Sequence, residues 1–411
     1  MNQCCSAQMA STIILVDDAH TFGGAQIALG WAIRSLLSHR PTPRVICVCS
    51  PSARKAIQPI AGEHPNLRYI DCPPALPLNV FTFPLRLWPF YKLMRALFRQ
   101  GPYTWWLNLA GIEFGLAPLL ILRLHGLRPI AWLHNSVPFS SYSANKSLST
   151  RIVSRVRDAV ANRVLFGLYR CIVTPSLATE SFLKGRLRSG NPIQTGYLYP
   201  TTGVESEPKP RGLDKGVPPA LDVWMIGRVE YASKNNMAAL HVLAHLLEQE
   251  RSARLTVVGN GPDLASFREA TRNLGLEDHV RFVDWEKNPW KLVPVRAIVL
   301  IPSFYEGMPL VATEAMLHGI RIVASPIPAF AEGIPNELIA DAFSTEAFAD
   351  KIEEVAAINQ ERLIALYATA LDKFTAQAFV TKFQSILQAA GTESSNKIKE
   401  ATTGRKKSGD R

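Results

Sequence analysis

The stretch from residue 297 to residue 324 limits the possible folds more than any other part of the chain. It opens with an apolar run, Ala297–Ile301, that predicts a buried β-strand, and a helical segment, Leu310–Leu317, follows after a short turn. A second apolar run, Ile320–Ala324, predicts another strand. Strand, helix and strand in this order form a βαβ unit, which requires a parallel sheet covered by helices. The chain is therefore predicted to be an α/β protein.

Two acidic residues lie in this unit. Glu306 is in the turn after the first strand, and Glu314 lies about two helical turns further on, on the same side. Ligands of open α/β sheets bind at the carboxyl ends of the strands, which is where Glu306 is expected. Most glutamates are solvated surface residues, but the neighbours of Glu314 are apolar. Considered alone, the two acids suggest a general acid/base pair at a ligand site.

The segment Pro302–Gly319, PSFYEGMPLVATEAMLHG, resembles the donor-site signature of retaining glycosyltransferase family 4. The resemblance implies that Glu306 accepts hydrogen bonds from the hydroxyls of a donor sugar and that Glu314 accepts them from the ribose. It places four further residues in the donor site: Gly307, Met308, Pro309 and Leu310. It also implies the GT-B fold, in which two doubly wound Rossmann-like domains face each other across a cleft.

The length of the chain agrees with two domains, because 411 residues exceed one ordinary hydrophobic core. A region rich in Pro, Gly and charge separates them, and a long helix, Glu361–Ala390, is predicted to return to the first domain. The predicted division is as follows: residues 1–200 form the acceptor-side domain, 201–219 the linker, 220–370 the nucleotide-sugar donor domain, 371–390 the helix that crosses back, and 391–411 a disordered basic tail.

Charge is distributed unevenly along the chain. Residues 1–204 hold 21 Lys and Arg against 7 Asp and Glu, a net charge of +14. Residues 205–390 hold 18 against 24, a net charge of −6, and the last residues bring the total to +11. The basic first half indicates an anionic partner there, either nucleic acid or a negatively charged membrane surface.

The six cysteines all fall in the first half and show no paired spacing, so no zinc site is predicted. Cys47 and Cys49 lie in an apolar run and are expected to pack as small hydrophobic residues, which favours a reducing, cytoplasmic setting. The first residues show no basic leader of a secretory signal. The longest apolar region, Phe114–Leu124, contains Arg123 and falls short of the roughly 20 residues that span a bilayer.

Three places in the first half resemble the same family: Gly23–Gly24, His134 and Ser176. Gly23 and Gly24 precede a helical run after the first predicted strand, so their backbone N–H groups could approach an anionic ligand at the helix N-terminus. They resemble the glycine turn that the family places under the donor sugar and phosphate. His134 follows another predicted strand, and the resemblance implies that it orients the donor sugar.

Two basic segments in the first half suggest a surface for anionic lipid. Leu85–Gln100 combines Arg and Lys with Trp, Phe and Tyr, as an interfacial helix does, although Pro89 is expected to break a continuous helix. The alternative is a core-packed helix with a basic outer face. Asn145–Arg163 is a second basic helix, and Ser176 is the predicted N-cap of the helix that follows.

In the second half, Gly227 and Arg228 follow the first predicted strand, and Lys234 is predicted at the head of the next helix. Two cations and a helix N-terminus can offset the charge of one diphosphate. The resemblance assigns that role to Arg228 and Lys234, with one more residue between them than the commoner spacing. Trp285 follows another strand, where it could stack on a nucleobase or pack on the protein.

The resemblance implies retaining transfer of a sugar from a UDP- or GDP-sugar to a hydroxyl of a glycan or lipid-linked acceptor. The basic, aromatic surface of the first half suggests surface polysaccharide or envelope glycan synthesis. Glu306, His134, Arg228 and Lys234 are the expected catalytic residues, with no metal and no cofactor besides the nucleotide-sugar substrate. Two alternatives remain: another GT-B enzyme such as a nucleotide-sugar epimerase, or a non-catalytic nucleic-acid-binding protein. No nucleic-acid motif is present, so nucleic acid is not the expected partner.

Overall fold

A computed structural model of the chain describes two compact units of α/β structure. The described residues are 12–18, 23–72, 83–98, 103–109, 115–134, 148–149, 152, 156, 159, 166–187, 194–201, 221–286, 288–308 and 310–390. The predicted linker, apart from Thr201, and the predicted tail lie outside these residues, as do the basic residues of Asn145–Arg163. One unit comprises residues 1–136, 152–203 and 376–411, and the other comprises residues 137–151 and 204–375.

The first unit contains a parallel sheet of seven strands in the order β3-β2-β1-β4-β5-β6-β7. Its strands are Thr12–Asp17 (β1), Arg44–Cys49 (β2), Leu67–Asp71 (β3), Thr104–Leu109 (β4), Ile130–Leu133 (β5), Cys171–Thr174 (β6) and Gln194–Tyr197 (β7). Strand β1 pairs with β2 on one side and with β4 on the other, so the strand order reverses between β1 and β4. Crevices at such switch points are the ligand sites of doubly wound sheets.

Helices cover both faces of this sheet. Those of the first unit are Gly24–Ser38 (α1), Pro51–Ala61 (α2), Phe83–Phe98 (α3), Leu116–Leu124 (α4), Leu177–Arg186 (α5) and, from the end of the chain, Ala376–Ala389. Residues Ile13–Val16 and Val45–Cys49 are almost fully buried, as expected of parallel strands covered on both faces. The described cysteines, Cys47, Cys49, Cys72 and Cys171, are free and buried, so they do pack as small hydrophobic residues.

The second unit contains a parallel sheet of five strands in the order β10-β9-β8-β11-β12. Its strands are Leu221–Ile226 (β8), Ala253–Val258 (β9), Val280–Val283 (β10), Ile298–Ile301 (β11) and Arg321–Ala324 (β12). Its helices are Tyr231–Lys234 (α6), Met237–Glu248 (α7), Leu264–Asn273 (α8), Leu310–Leu317 (α9), Pro328–Ala331 (α10), Thr345–Ala357 (α11) and Gln360–Leu371 (α12). Strand β8 lies between β9 and β11, so the switch point of this sheet is at β8 and β11.

The predicted long helix Glu361–Ala390 is wrong. Helix α12 ends at Leu371, a 3-10 turn, Asp372–Phe374, follows, and helix Ala376–Ala389 (α13) then begins. Phe374, the last residue of this turn, is fully buried and lies close to Gly333. The segment contains neither Gly nor Pro, so no local sequence signal marks the break.

Helix α13 packs on the first unit. The rings of Trp106 on β4 and Phe383 on α13 are stacked, with centroids 4.6 Å apart, and Trp132 on β5 lies 6.0 Å from Phe379. At the end of the helix, Arg170 Nε donates to the carbonyl oxygen of Ala390. These contacts make the last helix part of the core of the first unit.

Helix α3 is continuous through Pro89, so the predicted break there is wrong. Proline in a helix interior removes one N–H donor, and here the apolar face holds the helix in place despite that loss. Phe90, Met94 and Leu97 are buried, whereas Trp88, Lys92 and Arg95 are exposed. Lys92 Nζ lies 5.4 Å from the centroid of the Trp88 ring. Within the described residues, no helix is both long enough and apolar enough to cross a bilayer.

Candidate functional site

The turns after β8 and β11 are joined at the switch point of the second unit. The backbone N–H groups of Phe304 and Tyr305 both donate to the carbonyl oxygen of Ser233, at 2.9 and 3.3 Å. The side chain of Asn235 donates to the carbonyl oxygen of Pro302 at 3.1 Å. Three hydrogen bonds thus tie the segment that carries Lys234 to the segment that carries Glu306.

Lys234 lies at the end of the short helix α6, and the prediction that it heads the next helix is wrong. Asn235 has a left-handed conformation, with φ of 50°, and helix α7 begins only at Met237. This conformation is uncommon for residues other than glycine, and asparagine is among those that tolerate it best. The short helix α6 occupies most of the segment between Arg228 and Asn235.

Lys234 and Glu306 form an ion pair, with Nζ and Oε1 2.5 Å apart. The hydroxyl of Ser303 donates to the same Oε1 at 2.9 Å. Ser303 is buried and its carbonyl oxygen accepts from Ser325, so the Glu306 carboxylate is held by a fixed neighbour. Both contacts engage Oε1, which leaves Oε2 as the oxygen available to a ligand hydroxyl. The Glu306 side chain is 11% exposed and that of Lys234 33%.

Arg228 extends into solvent from the turn after β8. Its side chain is 60% exposed, and its closest carboxylate among the described residues, Glu230, lies 3.9 Å away. A pair of this length and exposure contributes little to stability, so the guanidinium is available to an anion. Gly227, which precedes it, has a φ of 130° that side-chain-bearing residues rarely adopt.

Close backbone packing fixes this turn. A Cβ atom on Gly259 would lie 2.1 Å from the carbonyl oxygen of Gly227, and one on Gly261 would lie 2.1 Å from that of Val229. Residues 259–262, with the sequence GNGP, therefore require glycine at positions 259 and 261 for a structural reason, because the Arg228 turn passes directly over them. The backbone hydrogen bond from Val229 N to Asn260 O, 3.1 Å long, joins the two turns.

Glu314 occupies a different environment on helix α9. Trp290 Nε1 donates to Glu314 Oε2 at 3.0 Å. The Trp290 ring is also stacked on the ring of His318, four residues after Glu314, with ring centroids 5.5 Å apart. Burial raises the pKa of Glu314 to about 7, and the hydrogen bond from Trp290 lowers it by less. The pKa of the Glu314 carboxyl group therefore lies near neutral pH, well above that of an ordinary surface glutamate.

The remaining residues predicted in the second unit are placed as follows. Trp285 follows β10 and is 56% exposed, so its ring is not a core residue. Met308 is buried, and a Cβ atom on Gly333 would lie 2.9 Å from its sulfur. Gly307 lies in the turn and Leu310 begins helix α9, whereas Pro309 is outside the described residues.

In the first unit, Gly23 is the N-cap of helix α1 and Gly24 its first residue. Gly23 has an extended backbone, with φ of −172°, and among the described residues a Cβ atom there would meet Gln26 Oε1 alone, at 3.7 Å. Any residue adopts this conformation, and the described part of the chain leaves space for a side chain, so nothing in that part requires glycine here. This contrasts with Gly259, where the surrounding backbone does require it.

His134 directly follows β5. It belongs to a hydrogen-bond network that the sequence alone did not predict. Its Nε2 lies 2.6 Å from Asn108 Oδ1 on β4, and Asn108 Nδ2 donates to Asp17 Oδ2 on β1 at 3.1 Å. Gln26 on α1 donates to the same oxygen of Asp17 at 3.0 Å. Burial lowers the pKa of His134 to about 3, so the ring is neutral at pH 7. The only sequence signal was a polar residue inside each of two apolar strands.

Comparisons with known proteins show which proteins the chain is similar to. Residues 220–357 match the family model described as Glycosyl transferases group 1. The putative glycosyltransferase EpsF of Bacillus subtilis is 32% identical over 108 residues, 26% of this chain and 28% of its own length. Lipopolysaccharide 1,6-galactosyltransferase of Salmonella typhimurium is 32% identical over 111 residues, 26% of this chain and 30% of its own length. The matches to these relatives thus span about a third of their length or less.

Solved structures are similar over most of the chain. Lipopolysaccharide outer core galactosyltransferase WaaB aligns with a TM-score of 0.62 and 16% identity, covering 92% of this chain and 99% of its own. Anabaena Alr3699/HepE, solved in complex with UDP and glucose, aligns with a TM-score of 0.64 and 15% identity, covering 92% of this chain and 100% of its own. The chain therefore has the GT-B fold, and residues 220–357 of its second unit match the glycosyl transferases group 1 family.

Proposed function

We propose that the protein is a retaining glycosyltransferase that moves a sugar from a UDP- or GDP-sugar to a hydroxyl of a glycan or lipid-linked acceptor. The observation that carries this proposal is the switch point of the second unit, where Arg228, Lys234 and Glu306 project from turns that hydrogen bonds hold together. Cations for a diphosphate and a carboxylate for sugar hydroxyls are the groups that a nucleotide sugar requires.

The cations would stabilise the leaving group. As the bond between the sugar and the β-phosphate breaks, negative charge accumulates on the departing nucleoside diphosphate, and fixed cations lower the energy of that state. Arg228 is exposed and can form two parallel hydrogen bonds to phosphate oxygens. Lys234 retains N–H donors beyond the one that contacts Glu306. With both in place, the reaction needs no divalent cation, and we propose that it is metal-independent.

Glu306 and Glu314 would bind and orient the donor. Glu306 can accept a sugar hydroxyl through Oε2 while Lys234 and Ser303 hold Oε1. Glu314, whose Oε2 accepts from Trp290, would receive the ribose hydroxyls through its other oxygen. Trp285 offers an exposed ring on which the base could stack. Since no side chain is a clear nucleophile, we favour a front-face displacement in which the leaving phosphate assists the acceptor hydroxyl.

The first unit would contribute the backbone N–H groups of Gly23 and Gly24 and the ring of His134 to recognition of the donor sugar. The space that the described residues leave around Gly23 supports this assignment, because a ligand would explain a glycine that none of those residues requires. The names of the similar proteins favour a role in synthesis of a polysaccharide or lipopolysaccharide.

A lipid-linked acceptor would also determine where the protein works. A cytoplasmic enzyme acting on a lipid-linked glycan would work at an anionic membrane surface, and the exposed face of α3 offers Trp88, Lys92 and Arg95 for that contact. Sedimentation with liposomes tests this contact. We expect binding to anionic but not to neutral vesicles at low salt, reduced by Trp88→Ala; no binding to anionic vesicles would refute it.

The direct test of the activity is a donor panel. The protein is incubated with UDP- and GDP-sugars, with and without glycan acceptors and with EDTA present, while release of UDP or GDP is measured. We expect release from one donor to depend on the acceptor and the product to keep the anomeric configuration of the donor. Conversion of the sugar without nucleotide release would instead indicate an epimerase, and no turnover of any donor would contradict the proposal.

A further inference from the structure

In the hydrogen-bond network behind His134, the chemistry of each group determines which one donates and which one accepts. Asp17 is fully buried, and one of its carboxylate oxygens accepts from both Gln26 Nε2 and Asn108 Nδ2. An ionised carboxylate can only accept hydrogen bonds. Asn108 must therefore turn its NH₂ group toward Asp17.

This orientation determines which nitrogen of His134 carries the proton. With its NH₂ group on Asp17, Asn108 presents Oδ1 to His134, 2.6 Å from Nε2. An amide oxygen only accepts, so Nε2 must be the protonated nitrogen. In a neutral ring, Nδ1 then has a free lone pair and can accept a hydrogen bond but cannot donate one.

The strand order explains why these residues meet. Asp17 ends β1 and Asn108 is the penultimate residue of β4, so the two lie on either side of the point where the strand order reverses. His134 directly follows β5, the neighbour of β4, and its ring lies 4.4 Å from that of Trp132. Gln26 connects the same carboxylate to the first turn of helix α1, next to Gly23.

We propose that Asp17 and Asn108 are positioning residues that hold His134 as a neutral imidazole protonated on Nε2, so that it accepts a hydrogen bond from a donor-sugar hydroxyl through Nδ1. The last clause rests on the function proposed above. The first clause concerns the resting protein and stands without it. In this arrangement His134 selects a donor that carries a hydroxyl group at the position facing it, and it does not act as a general acid.

The first arm of the test is a nitrogen NMR measurement on the full chain with ¹⁵N-labelled histidine, in which His134→Gln identifies the signals. We expect the neutral Nε2-protonated form throughout pH 5.5–8 in the wild type. Asn108→Leu, which removes both polar atoms at similar volume, should produce a mixture of the two tautomers. Leu107→Val on the same strand is the control and should leave the His134 signals unchanged.

Three NMR results would overturn the first clause: a wild-type ring protonated on Nδ1, a wild-type ring charged at pH 7, or an unchanged tautomer in Asn108→Leu. The wild-type spectrum decides the first two even if Asn108→Leu does not fold. No result in this arm depends on activity, so a failure of the proposed function would not affect it.

The second arm uses the donor that the panel identifies, together with deoxy analogues that each lack one hydroxyl. Asn108→Leu should lower kcat/KM by about 10–100-fold, as misplacement of a substrate-contacting group does, while Leu107→Val stays near wild type. One deoxy donor should be turned over equally poorly by the wild type and by Asn108→Leu. If transfer occurs but Asn108→Leu retains wild-type kcat/KM, the second clause is refuted while the proposed function stands.

Discussion

The switch points of the two sheets differ in the kind of side chain that they carry and in how deeply those side chains are buried. In the second unit, charged groups on turns dominate: Arg228 is exposed, and Lys234 pairs with Glu306 at partial exposure. In the first unit, the polar groups belong to strands and a helix, and Asp17, Asn108 and Gln26 are buried with their hydrogen bonds directed at one another. The charged groups of the second unit can exchange their partners for a ligand, whereas the buried network of the first unit holds a single geometry.

This difference assigns the two regions different tasks. Charged groups near the surface meet a charged ligand without a large desolvation cost, which suits recognition of a diphosphate. A buried and fully paired network instead fixes the orientation of the one side chain that emerges from it, here His134. Substitutions at the second unit should therefore affect the chemistry more than the stability.

Glu306→Ala gives the strongest expected effect. Transfer should fall by more than about 10³-fold, because the carboxylate that orients the donor sugar is lost. The melting temperature should fall by several degrees, since the buried Ser303 hydroxyl loses its acceptor, which costs about 1–3 kcal/mol, whereas the ion pair with the one-third exposed Lys234 contributes little. Glu269→Ala, an exposed acid on helix α8, is the matched control and should behave as wild type. Wild-type transfer by Glu306→Ala would refute the role of the turn.

Lys234→Met should lower kcat by about 10²–10³-fold, the usual consequence of removing one group that stabilises developing charge. Substrate affinity should change less, because the interaction strengthens as the leaving group acquires charge. Steady-state kinetics with the donor from the panel measure both parameters. Lys291→Met, an exposed lysine of the same unit, serves as the control. An effect confined to KM would instead place Lys234 in ground-state binding.

The same contrast explains what the sequence could reveal. The turn with Glu306 and the pair Gly227–Arg228 were identified because each lies in one short contiguous motif after an apolar run. Asp17, Asn108 and His134 are separated by up to 117 positions, and only the strand order brings them together. No pattern in a single sequence encodes that proximity.

Strand β7 shows a second limit of sequence reasoning. Its residues, Gln194–Tyr197, form no apolar run, so no strand was predicted there. It forms because it lies at the edge of the sheet, pairs with β6 and packs on α13, where a Cβ atom on Gly196 would lie 3.6 Å from Ile386. Its stability comes from contacts with distant residues and not from local preference.

Two glycine substitutions sharpen the comparison between the units. Gly259→Ala should destabilise the protein by roughly 1–3 kcal/mol or more, because its φ of 135° is unfavourable and its Cβ would overlap the Gly227 carbonyl. Gly23→Ala should leave the melting temperature unchanged but weaken donor binding by roughly 10–100-fold through lost contacts of the backbone with phosphate. Thermal denaturation and calorimetric titration distinguish the two. Unchanged donor affinity in Gly23→Ala would remove that glycine from the donor site.

The pKa of Glu314 predicts a smaller effect that depends on pH. Because the pKa of the folded protein, about 7, lies above the ordinary value of 4.5, the native state binds more protons between these values. Stability should therefore be greatest below about pH 4.5 as far as this group is concerned, and should decrease as the pH rises through 7. Glu314→Gln should remove that decrease, as measured by urea denaturation at several pH values.

Donor binding should show the opposite trend. Ribose hydroxyls donate to the ionised carboxylate, so affinity for the nucleotide should increase by up to about tenfold from pH 6 to pH 8. Calorimetry in buffers of different ionisation enthalpy would detect the proton released on binding. An affinity independent of pH in the wild type would show that Glu314 does not contact the nucleotide.

The central claim is that the charged turns of the second unit recognise a nucleoside diphosphate. Titration of the full-length protein with UDP, GDP and the corresponding nucleosides, for the wild type and Arg228→Ala, tests it most directly. We predict that one diphosphate binds saturably, that its nucleoside binds at least about 100-fold more weakly, and that Arg228→Ala abolishes most of that difference. Equal affinity for nucleoside and diphosphate, or full diphosphate affinity in Arg228→Ala, would contradict it.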